Sequence, residues 1–243
     1  MAKKREIIKV GICGVGAVGG TLHKWLKIHT QHEIFLYDPD KGYTDDLSEV
    51  YASFICVPVP TNEDGTQDVS MLEDAVKRCG GVRFIRSTVL PSTNDKYGTF
   101  SCPEFLTERN AVREMSRQPI LTGCSDVSFM RNIFPYKKIL RHSNYACESA
   151  KYFHNAFGAI KVNFFNIVYD FCQQRELDYE SVLQGILSSG YIKREHTQVP
   201  GPDGSRGFGG KCFPKDLKAL NAFFPKQTFE ACMEENSIYR GTQ

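Results

Sequence analysis

Apolar residues in the first half of the chain are concentrated in short segments of four to six residues, separated by amphipathic stretches. Short β-branched runs predict strands, and an apolar repeat of three or four residues predicts helices. The predicted elements are strands at 7–12, 33–37, 53–57, 83–86 and about 119–122, and helices at 17–29 and 70–79. This alternation predicts a mostly parallel, doubly wound sheet, so we expect an α/β fold with a Rossmann-like domain over residues 1–142.

One edge of this predicted sheet is short. Only about 15 residues separate Asp38 from the next predicted strand. That is too few for a full helix followed by a strand, because a complete crossover unit needs more chain. We therefore expect the sheet to be trimmed there.

The second half of the chain has a helical pattern. Residues 145–175 contain no proline and predict one long helix, capped near Ser143 or Asn144. Its apolar positions recur every three or four residues, at Ala146, Ala150, Phe153, Phe157, Ile160, Phe164, Ile167 and Phe171. A helix this long exceeds the usual globular length, so we expect it to bridge domains or subunits. Shorter helices at 179–188, 214–223 and 227–239, with a loop at 190–211, complete a predicted all-helical domain over residues 143–243.

Composition narrows the class of protein. The 243 residues are 41% apolar and 24% charged, with a formal net charge of +2, which does not indicate a nucleic-acid surface. The chain has no signal peptide and no apolar run of membrane-spanning length, so we expect a cytoplasmic protein without a membrane partner. The nine cysteines are scattered without a C-x-x-C pair, which favours reduced thiols and no metal site.

A glycine motif lies between the first strand and the first helix. Gly14, Gly16 and Gly19 have the G-x-G-x-x-G spacing, and Asp38 ends the next strand 19 residues further on. In this context the glycines would make the turn, admit a pyrophosphate and let helix and strand pack closely. An acid at Asp38 would bind ribose hydroxyls and repel a 2′-phosphate, so NAD is favoured over NADP. The alternative is a tight turn without phosphate and a solvated aspartate.

A second glycine-rich stretch, residues 207–216, carries a cysteine. Cys212 lies between Lys211 and Lys215, with Asp216 four positions further on. Neighbouring cations favour the thiolate, which is the nucleophilic form, and glycines let a backbone approach a ligand closely. The alternative is that Cys212 is a small buried hydrophobe before a helix.

Two pairs of polar residues have helical spacing. Lys151 and Asn155 would lie one turn apart on the long helix, where they could donate hydrogen bonds to an oxyanion. Glu104 and Glu108 would project to one side if Pro103 occupies the first turn of a helix, and paired acids can deprotonate water. For both pairs the alternative is ordinary solvated surface.

Six segments together give the chain a family resemblance. They are residues 14–19, 57–61, 87–91, 103–108, 151–155 and 207–216. In this order and at these intervals the chain resembles the UDP-glucose/GDP-mannose dehydrogenase family. The resemblance runs from about residue 7 to residue 236 and covers the first two of the three domains of that family.

The resemblance implies a four-electron oxidation of a sugar C6 alcohol to a carboxylate with two NAD molecules in succession. Cys212 would capture the aldehyde as a thiohemiacetal, which is then oxidised to a thioester and hydrolysed. Lys151 and Asn155 would stabilise oxyanions. Asp216 and Glu108, with Thr88, would organise base and water.

The resemblance also implies a set of ligand contacts and a partner. The implied cofactor-binding residues are Gly14, Gly16, Val18, Gly19, Asp38, Thr61, Thr88, Glu108 and Lys215, of which Lys215 would also sit beside the thiolate. The implied substrate-binding residues are Glu104, Phe105, Leu106, Lys151, Asn155, Phe208, Gly209, Gly210 and Cys212. The expected partners are a nucleotide sugar and a second copy of the chain, packed through the helix at 145–175.

The chain departs from the family pattern in two ways. The third domain of the family, which completes the nucleotide pocket, has no counterpart in this sequence, and Val59 stands where the family usually has threonine. These departures keep two alternatives open. One is an NAD-dependent dehydrogenase of a different alcohol, and the other is a non-catalytic nucleotide-binding module.

Overall fold

The computed structural model describes residues 6–107 and 110–241, and these divide into two compact units. The first unit comprises Met1–Asn62 and Gln67–Lys151, and the second comprises Glu63–Thr66 and Tyr152–Gln243. The sequence placed its division between residues 142 and 143. The difference arises because the first residues of the long helix, including the buried Glu148, contact the first unit.

The first unit contains the predicted doubly wound sheet. Its strands are β1 (Lys9–Cys13), β2 (Glu33–Asp38), β3 (Tyr43–Thr44), β4 (Ala52–Ile55), β5 (Val82–Ile85) and β6 (Phe100–Ser101), in the spatial order β3-β2-β1-β4-β5-β6. All neighbouring pairs are parallel except β2 and β3. Helices α1 (Ala17–His29) and α2 (Ser70–Arg78) follow β1 and β4, as the pattern predicted. The α/β fold class is confirmed.

The edge next to β2 is indeed short. A 3-10 turn at Pro39–Lys41 ends at Gly42, whose φ of 77° is left-handed, and β3 then pairs antiparallel with β2. A two-residue hairpin strand thus occupies the position where a crossover helix and a parallel strand would otherwise lie. The turn places Lys41 beside the end of β2.

Several short elements escaped the sequence prediction, and one strand was placed in the wrong sheet. The missed elements are β3, β6, β8 (Ile139–Arg141), α3 (Thr93–Tyr97), α4 (Ala111–Arg117) and α5 (Val127–Ile133). The strand expected at about 119–122 exists as β7 (Ile120–Thr122), but it pairs with β8 in a separate two-stranded parallel sheet.

Successive residues of the central strands pack on opposite faces of the large sheet. Ile12, Phe54 and Phe84 belong to one apolar cluster, and their chain neighbours Cys13, Ile55 and Ile85 belong to the other. Within the first cluster the Phe54 ring stacks on Phe84 with centroids 5.0 Å apart. Both faces of the sheet are therefore covered, which explains why these strands carry apolar residues at successive positions.

The second unit is helical. The long helix α6 spans Asn144–Gln174, and α7 (Tyr179–Leu187), α8 (Phe213–Phe223) and α9 (Gln227–Arg240) follow close to their predicted bounds. The hydroxyl of Ser143 accepts the amide proton of Ala146 at 3.1 Å, so the predicted cap of α6 is confirmed. Across residues 6–107 and 110–241, none of the helices combines the length and the apolar character that spanning a membrane would need.

Candidate active site

The glycine motif of the first unit forms a tight turn between β1 and α1. Gly14 has a left-handed φ of 89°, and a Cβ there would lie 2.8 Å from the carbonyl group of Cys56. A Cβ on Gly19 would lie 1.9 Å from the Gly14 oxygen. The first and third glycines therefore make the turn and permit close helix–strand packing, as the sequence indicated.

The second glycine of the motif faces open space. The nearest atom to a Cβ on Gly16 is the Nζ of Lys41, 3.9 Å away. Gly16 is also the N-cap of α1, and no side chain caps this helix end. Val18, in the first turn of α1, is half-buried against the apolar core. Backbone N–H groups at an uncapped helix start form a suitable site for a phosphate.

Asp38 closes the other side of this turn. Its Oδ2 accepts the amide proton of Val15 at 2.7 Å and lies 3.3 Å from the Nζ of Lys41. Lys41 also donates to the carbonyl oxygen of Val15 at 2.9 Å. The carboxylate is thus fixed next to the glycine turn, where it can accept hydrogen bonds from the hydroxyl groups of a ribose.

The loops after β4 and β5 are joined by one side chain. The amide of Gln67 donates to the carbonyl oxygen of Thr88 at 3.3 Å and accepts the amide proton of Leu90 at 2.9 Å. Gln67 also forms a β-bridge with Thr61. Thr61 and Thr88 are thereby tied together at the carboxyl ends of these strands, where ligands of such sheets bind. The sequence prediction did not include Gln67, because nothing in its pattern distinguishes it from a surface residue.

A buried carboxylate anchors the end of the Thr88 loop. Glu148 of α6 accepts protons from the amides of Ser92 and Asn94 and from the side chain of Asn94, each at 2.8 Å. Burial raises the pKa of Glu148, although these hydrogen bonds act in the opposite direction. The sequence prediction did not include Glu148, although its position three residues before Lys151 in a predicted helix places both on the same face of that helix.

Glu104 and Lys151 form a buried ion pair in the first unit. Their Oε1 and Nζ atoms are 3.2 Å apart, and the side chains are only 13% and 8% exposed. Burial acts to raise the pKa of Glu104, but Lys151, the amide of Leu106 and Arg86 together hold it below its usual value. The ionised carboxylate is therefore the stable form. The ammonium group of Lys151 has three N–H donors, of which one is directed at Glu104.

The predicted pairing of Glu104 with Glu108 on a helix was wrong at Pro103. Residues 102–107 belong to no helix or strand. Glu104 instead turns back to accept the Leu106 amide at 2.6 Å, and the Phe105 ring lies 5.5 Å from the Nζ of Lys151. Glu108 lies outside the described residues.

Arg86 is a further charged residue of this cluster. It is 3% exposed, and its guanidinium donates to the carbonyl oxygen of Cys102 at 3.1 Å. The sequence prediction counted it as the last residue of a strand. An arginine that ends an apolar strand was a usable signal of a buried anion, here Glu104.

In the second unit a buried carboxylate links α6 to α8. The amide nitrogen of Asn155 donates to the Oδ2 of Asp216 at 2.6 Å, and Lys215 donates to the other oxygen of the same carboxylate. His154 contacts the amide oxygen of Asn155 at 3.2 Å. The alternative that Asn155 is an ordinary solvated surface residue is wrong, because Asn155 is buried.

Cys212 is the N-cap residue of α8 and is exposed, whereas the other eight cysteines are buried thiols. The amide of Asp216 donates to the Cys212 carbonyl oxygen at 2.9 Å, which places the carboxylate one turn into the same helix. A thiol at a helix start is favoured in its thiolate form by the helix dipole. The alternative reading of Cys212 as a buried hydrophobe is therefore wrong.

The loop before Cys212 is only partly open. Phe208 is buried, Gly209 is half-buried, and Gly210 is exposed with a left-handed φ of 75°. A Cβ on Gly210 would meet nothing within 4 Å. Gly210 thus makes the turn that presents Cys212.

The structure gathers the predicted site residues within each unit. The first unit holds the glycine turn, Asp38, the joined Thr61 and Thr88 loops and the Glu104–Lys151 pair. The second unit holds Asn155, Asp216, Lys215 and Cys212. In residues 6–107 and 110–241 no cluster of three His, Cys, Asp or Glu side chains has the arrangement of a metal site.

Comparison with known proteins agrees with the family resemblance seen in the sequence. Residues 145–238 match the central-domain model of the UDP-glucose/GDP-mannose dehydrogenase family. The chain is 30% identical over 205 residues to a UDP-glucose 6-dehydrogenase of Rickettsia typhi, covering 74% of this chain and 46% of the relative. The chain thus spans about half the length of the curated relatives it matches.

Two solved structures extend the comparison to the fold. One is a UDP-glucose dehydrogenase from Pyrobaculum islandicum, with a TM-score of 0.81 at 21% identity, covering 98% of this chain and 70% of that chain. The other is a 3-hydroxyisobutyrate dehydrogenase from Mycobacterium tuberculosis, with a TM-score of 0.71 at 15% identity, covering 97% and 94%. At these identities the likeness concerns the fold alone.

Proposed function

We propose that this chain, whose residues 145–238 match the central-domain model of the UDP-glucose/GDP-mannose dehydrogenase family, is an NAD-dependent nucleotide-sugar 6-dehydrogenase. The proposed reaction oxidises the C6 alcohol of UDP-glucose, or of a related UDP- or GDP-sugar, to the uronic acid. The observation that carries this proposal is the exposed Cys212 at the start of α8, one turn from the buried Asp216–Asn155 pair. An alcohol oxidation that stops at the aldehyde has no need of such a nucleophile.

The proposed chemistry assigns a role to each polar group. The Cys212 thiolate adds to the aldehyde carbon, and the carbonyl electron pair moves onto oxygen to give a thiohemiacetal. Lys151 and the second N–H of the Asn155 amide donate to this oxyanion. Loss of hydride leaves a thioester, water adds to it, and the C–S bond breaks to release thiolate and carboxylate. Asp216 and Glu108, with Thr88, hold the water and accept its proton.

The first unit fits a dinucleotide. The open side of Gly16, the uncapped start of α1 and the fixed carboxylate of Asp38 are the features that a pyrophosphate and a ribose need. Bound NAD would accept the hydride that each oxidation step releases. We assign this binding to Gly14, Gly16, Val18, Gly19, Asp38 and Thr61, with Thr88, Glu108 and Lys215 toward the reacting end.

Substituting Gly16 with alanine separates cofactor binding from folding. Gly16 has an ordinary φ of −75° and space for a Cβ, so we expect the melting temperature to stay within about 1 °C. The new methyl group would occupy the space proposed for the pyrophosphate, so we expect NAD affinity to fall at least about tenfold. Calorimetric titration with NAD measures this affinity. If Gly16→Ala bound NAD as tightly as the parent, the pyrophosphate would not bind at this turn.

A substrate screen that measures how many NADH form for each substrate molecule consumed tests the proposed function. The purified chain is incubated with NAD and one of UDP-glucose, GDP-mannose, UDP-N-acetyl sugars or simple hydroxyacids, and NADH absorbance is followed to completion. The proposal expects two NADH for each nucleotide sugar consumed, with a carboxylate product. Measurable NAD binding without NADH formation from any substrate would favour a non-catalytic module.

A second candidate is a two-electron dehydrogenase of a simple alcohol. It is favoured by the fold likeness to 3-hydroxyisobutyrate dehydrogenase, which extends over 94% of that protein. This candidate gives one NADH for each substrate molecule, and its turnover does not depend on a thiol. The same screen therefore distinguishes the two.

We also propose that two copies associate through α6. Five apolar side chains of α6 are about half exposed or more and fall within one narrow stripe, at Phe153, Phe157, Phe164, Ile167 and Phe171. A contiguous exposed apolar stripe of this length marks an interaction surface. Because the stripe is uniform and the chain has little net charge, a second copy is the occupant that fits.

Introducing a charge into this stripe should give monomers. We expect Phe157→Asp, at a side chain that is 67% exposed, to convert a species of twice 27.5 kDa into one of 27.5 kDa in light scattering. Gln173→Asp is the matched control, because residue 173 is exposed and lies on the opposite face of α6. A parent chain that is already monomeric at all concentrations would refute the association.

A further inference from the structure

The last helix of the second unit holds the loop that leads to Cys212. The side-chain amide of Asn236 in α9 accepts the backbone proton of Phe208 at 2.6 Å and donates to the backbone oxygen of Phe208 at 3.0 Å. One side chain thus satisfies both main-chain groups of a buried loop residue. Such a two-point contact fixes the orientation of a peptide as well as its position.

Arg240, one helical turn further along α9, adds a second attachment. Its guanidinium donates to the backbone oxygens of Phe208 at 3.1 Å and Gly207 at 3.2 Å, and to the carboxylate of Asp203 at 2.7 Å. The loop before Cys212 is therefore attached to α9 at Asp203, Gly207 and Phe208.

Two glycines of the loop are needed for this attachment. A Cβ on Gly207 would lie 2.5 Å from the Oδ1 of Asn236, and a Cβ on Gly209 would lie 2.2 Å from the Nη2 of Arg240. Gly207 also has a left-handed φ of 69°. The sequence prediction assigned this glycine-rich stretch to a close approach of a ligand. At Gly207 and Gly209 the approaching group is α9 itself.

We propose that Asn236 is a positioning residue for Cys212, and that α9 sets the path of the loop that presents the thiol. Three residues separate the anchored Phe208 from Cys212, and the turn at Gly210 is one of them. With the anchor in place, Cys212 stays at the start of α8 between Lys211 and Lys215. Without it, the loop and the first turn of α8 are released together. This inference rests on the proposed function in taking Cys212 as the nucleophile.

The test uses Asn236→Ala in the full chain, with Ser237→Ala as the matched control. Ser237 lies next to Asn236 in α9, and its hydroxyl donates only within the helix, to Met233 at 3.0 Å. For Asn236→Ala we expect kcat for NAD-linked oxidation to fall about 100-fold, with KM for NAD unchanged, because a misplaced reacting group of this kind costs that much. We expect amide exchange at residues 205–212 to accelerate at least about tenfold, with exchange in β1 and β4 unaltered. Ser237→Ala should match the parent in both.

Alkylation of Cys212 provides a readout that needs no turnover. The rate of its modification by iodoacetamide, resolved by peptide mass spectrometry, reports the thiolate fraction. We expect this rate to fall at least about threefold in Asn236→Ala, because the thiol leaves the field of the helix start. The eight buried cysteines are internal controls and must stay protected, which establishes that the variant is folded. If they become reactive, Asn236→Asp, which keeps the acceptor for the Phe208 proton and loses the donor, replaces Asn236→Ala and should shift in the same direction.

The outcomes separate this inference from the proposed function. Unchanged loop exchange, or a Cys212 alkylation rate that is unchanged or faster in a folded variant, overturns the positioning role. A parent-like kcat in an active enzyme overturns it as well. If the parent chain oxidises no nucleotide sugar, the proposed function fails, while the exchange and alkylation results still decide whether α9 positions the thiol.

Discussion

Replacing Cys212 with serine should stop formation of the carboxylate product while NAD binding survives. A serine hydroxyl is almost never ionised at neutral pH, and it lacks the nucleophilicity of a thiolate, so capture of the aldehyde fails. We expect the rate of acid formation to fall at least about 10³-fold, which corresponds to about 4 kcal/mol in the barrier. The measurement is product analysis by chromatography beside NADH absorbance, with NAD affinity from calorimetry.

The control for this variant is Cys232→Ser in the same unit. Cys232 is buried, and its sulfur accepts a hydrogen bond from Asn163 at 3.5 Å that a serine oxygen can also accept. This variant should retain turnover, since it changes a thiol that no substrate reaches. Uronic acid produced by Cys212→Ser at the parent rate would show that the nucleophile has been misassigned.

The fold could be predicted wherever the pattern ran long enough to establish a period. The helix α6 was predicted because its apolar positions recur every three or four residues over many turns, and the central strands β1, β2, β4 and β5 because each covers four residues or more. The strands β3 and β6 have two residues each, and so short a segment has no periodicity to read. What fixes them is pairing with a neighbouring strand, which a local pattern does not contain.

The site was predicted at the level of residue types, and less well at the level of contacts. Glu104 shows why: proline before a pair of acids suggested a helix start, but residues 102–107 form no helix and Glu104 pairs with Lys151 instead. Gly207 and Gly209 show the same limit. A sequence reveals that a backbone is approached closely there, and only the folded chain identifies α9 as the group that approaches it.

Replacing Lys151 with methionine should destabilise the first unit strongly. The substitution removes the cation 3.2 Å from Glu104 and leaves a carboxylate that is only 13% exposed. Removing one partner of a buried ion pair costs about 3–5 kcal/mol in the free energy of unfolding, because the remaining charge is uncompensated. Urea titration followed by the fluorescence of Trp25 measures this, since Trp25 is the single tryptophan of the chain and lies in the first unit.

The pH dependence of this loss has a definite sign. In the parent chain the pKa of Glu104 is lowered, so its contribution to stability is present above the pKa of the unfolded chain and is lost as pH falls through the folded value. In Lys151→Met the largest lowering influence is gone and burial dominates, so the pKa of Glu104 should rise. The stability difference between parent and variant should therefore be greatest at neutral pH and should narrow toward pH 4, as Glu104 in the variant takes up a proton.

A double variant separates the structural role of the pair from its proposed chemical role. In Lys151→Met with Glu104→Met both buried charges are replaced by apolar side chains of similar length, an exchange that is often neutral for stability. We expect the Trp25 unfolding transition to return to within about 1 kcal/mol of the parent, while NAD-linked turnover stays at least about 100-fold down, because the oxyanion donor is missing. If turnover recovered together with stability, Lys151 would contribute to the stability of the fold and not to catalysis. A single Lys151→Met variant as stable as the parent would mean that Glu104 has another counter-charge, for which Arg86 is the nearest candidate.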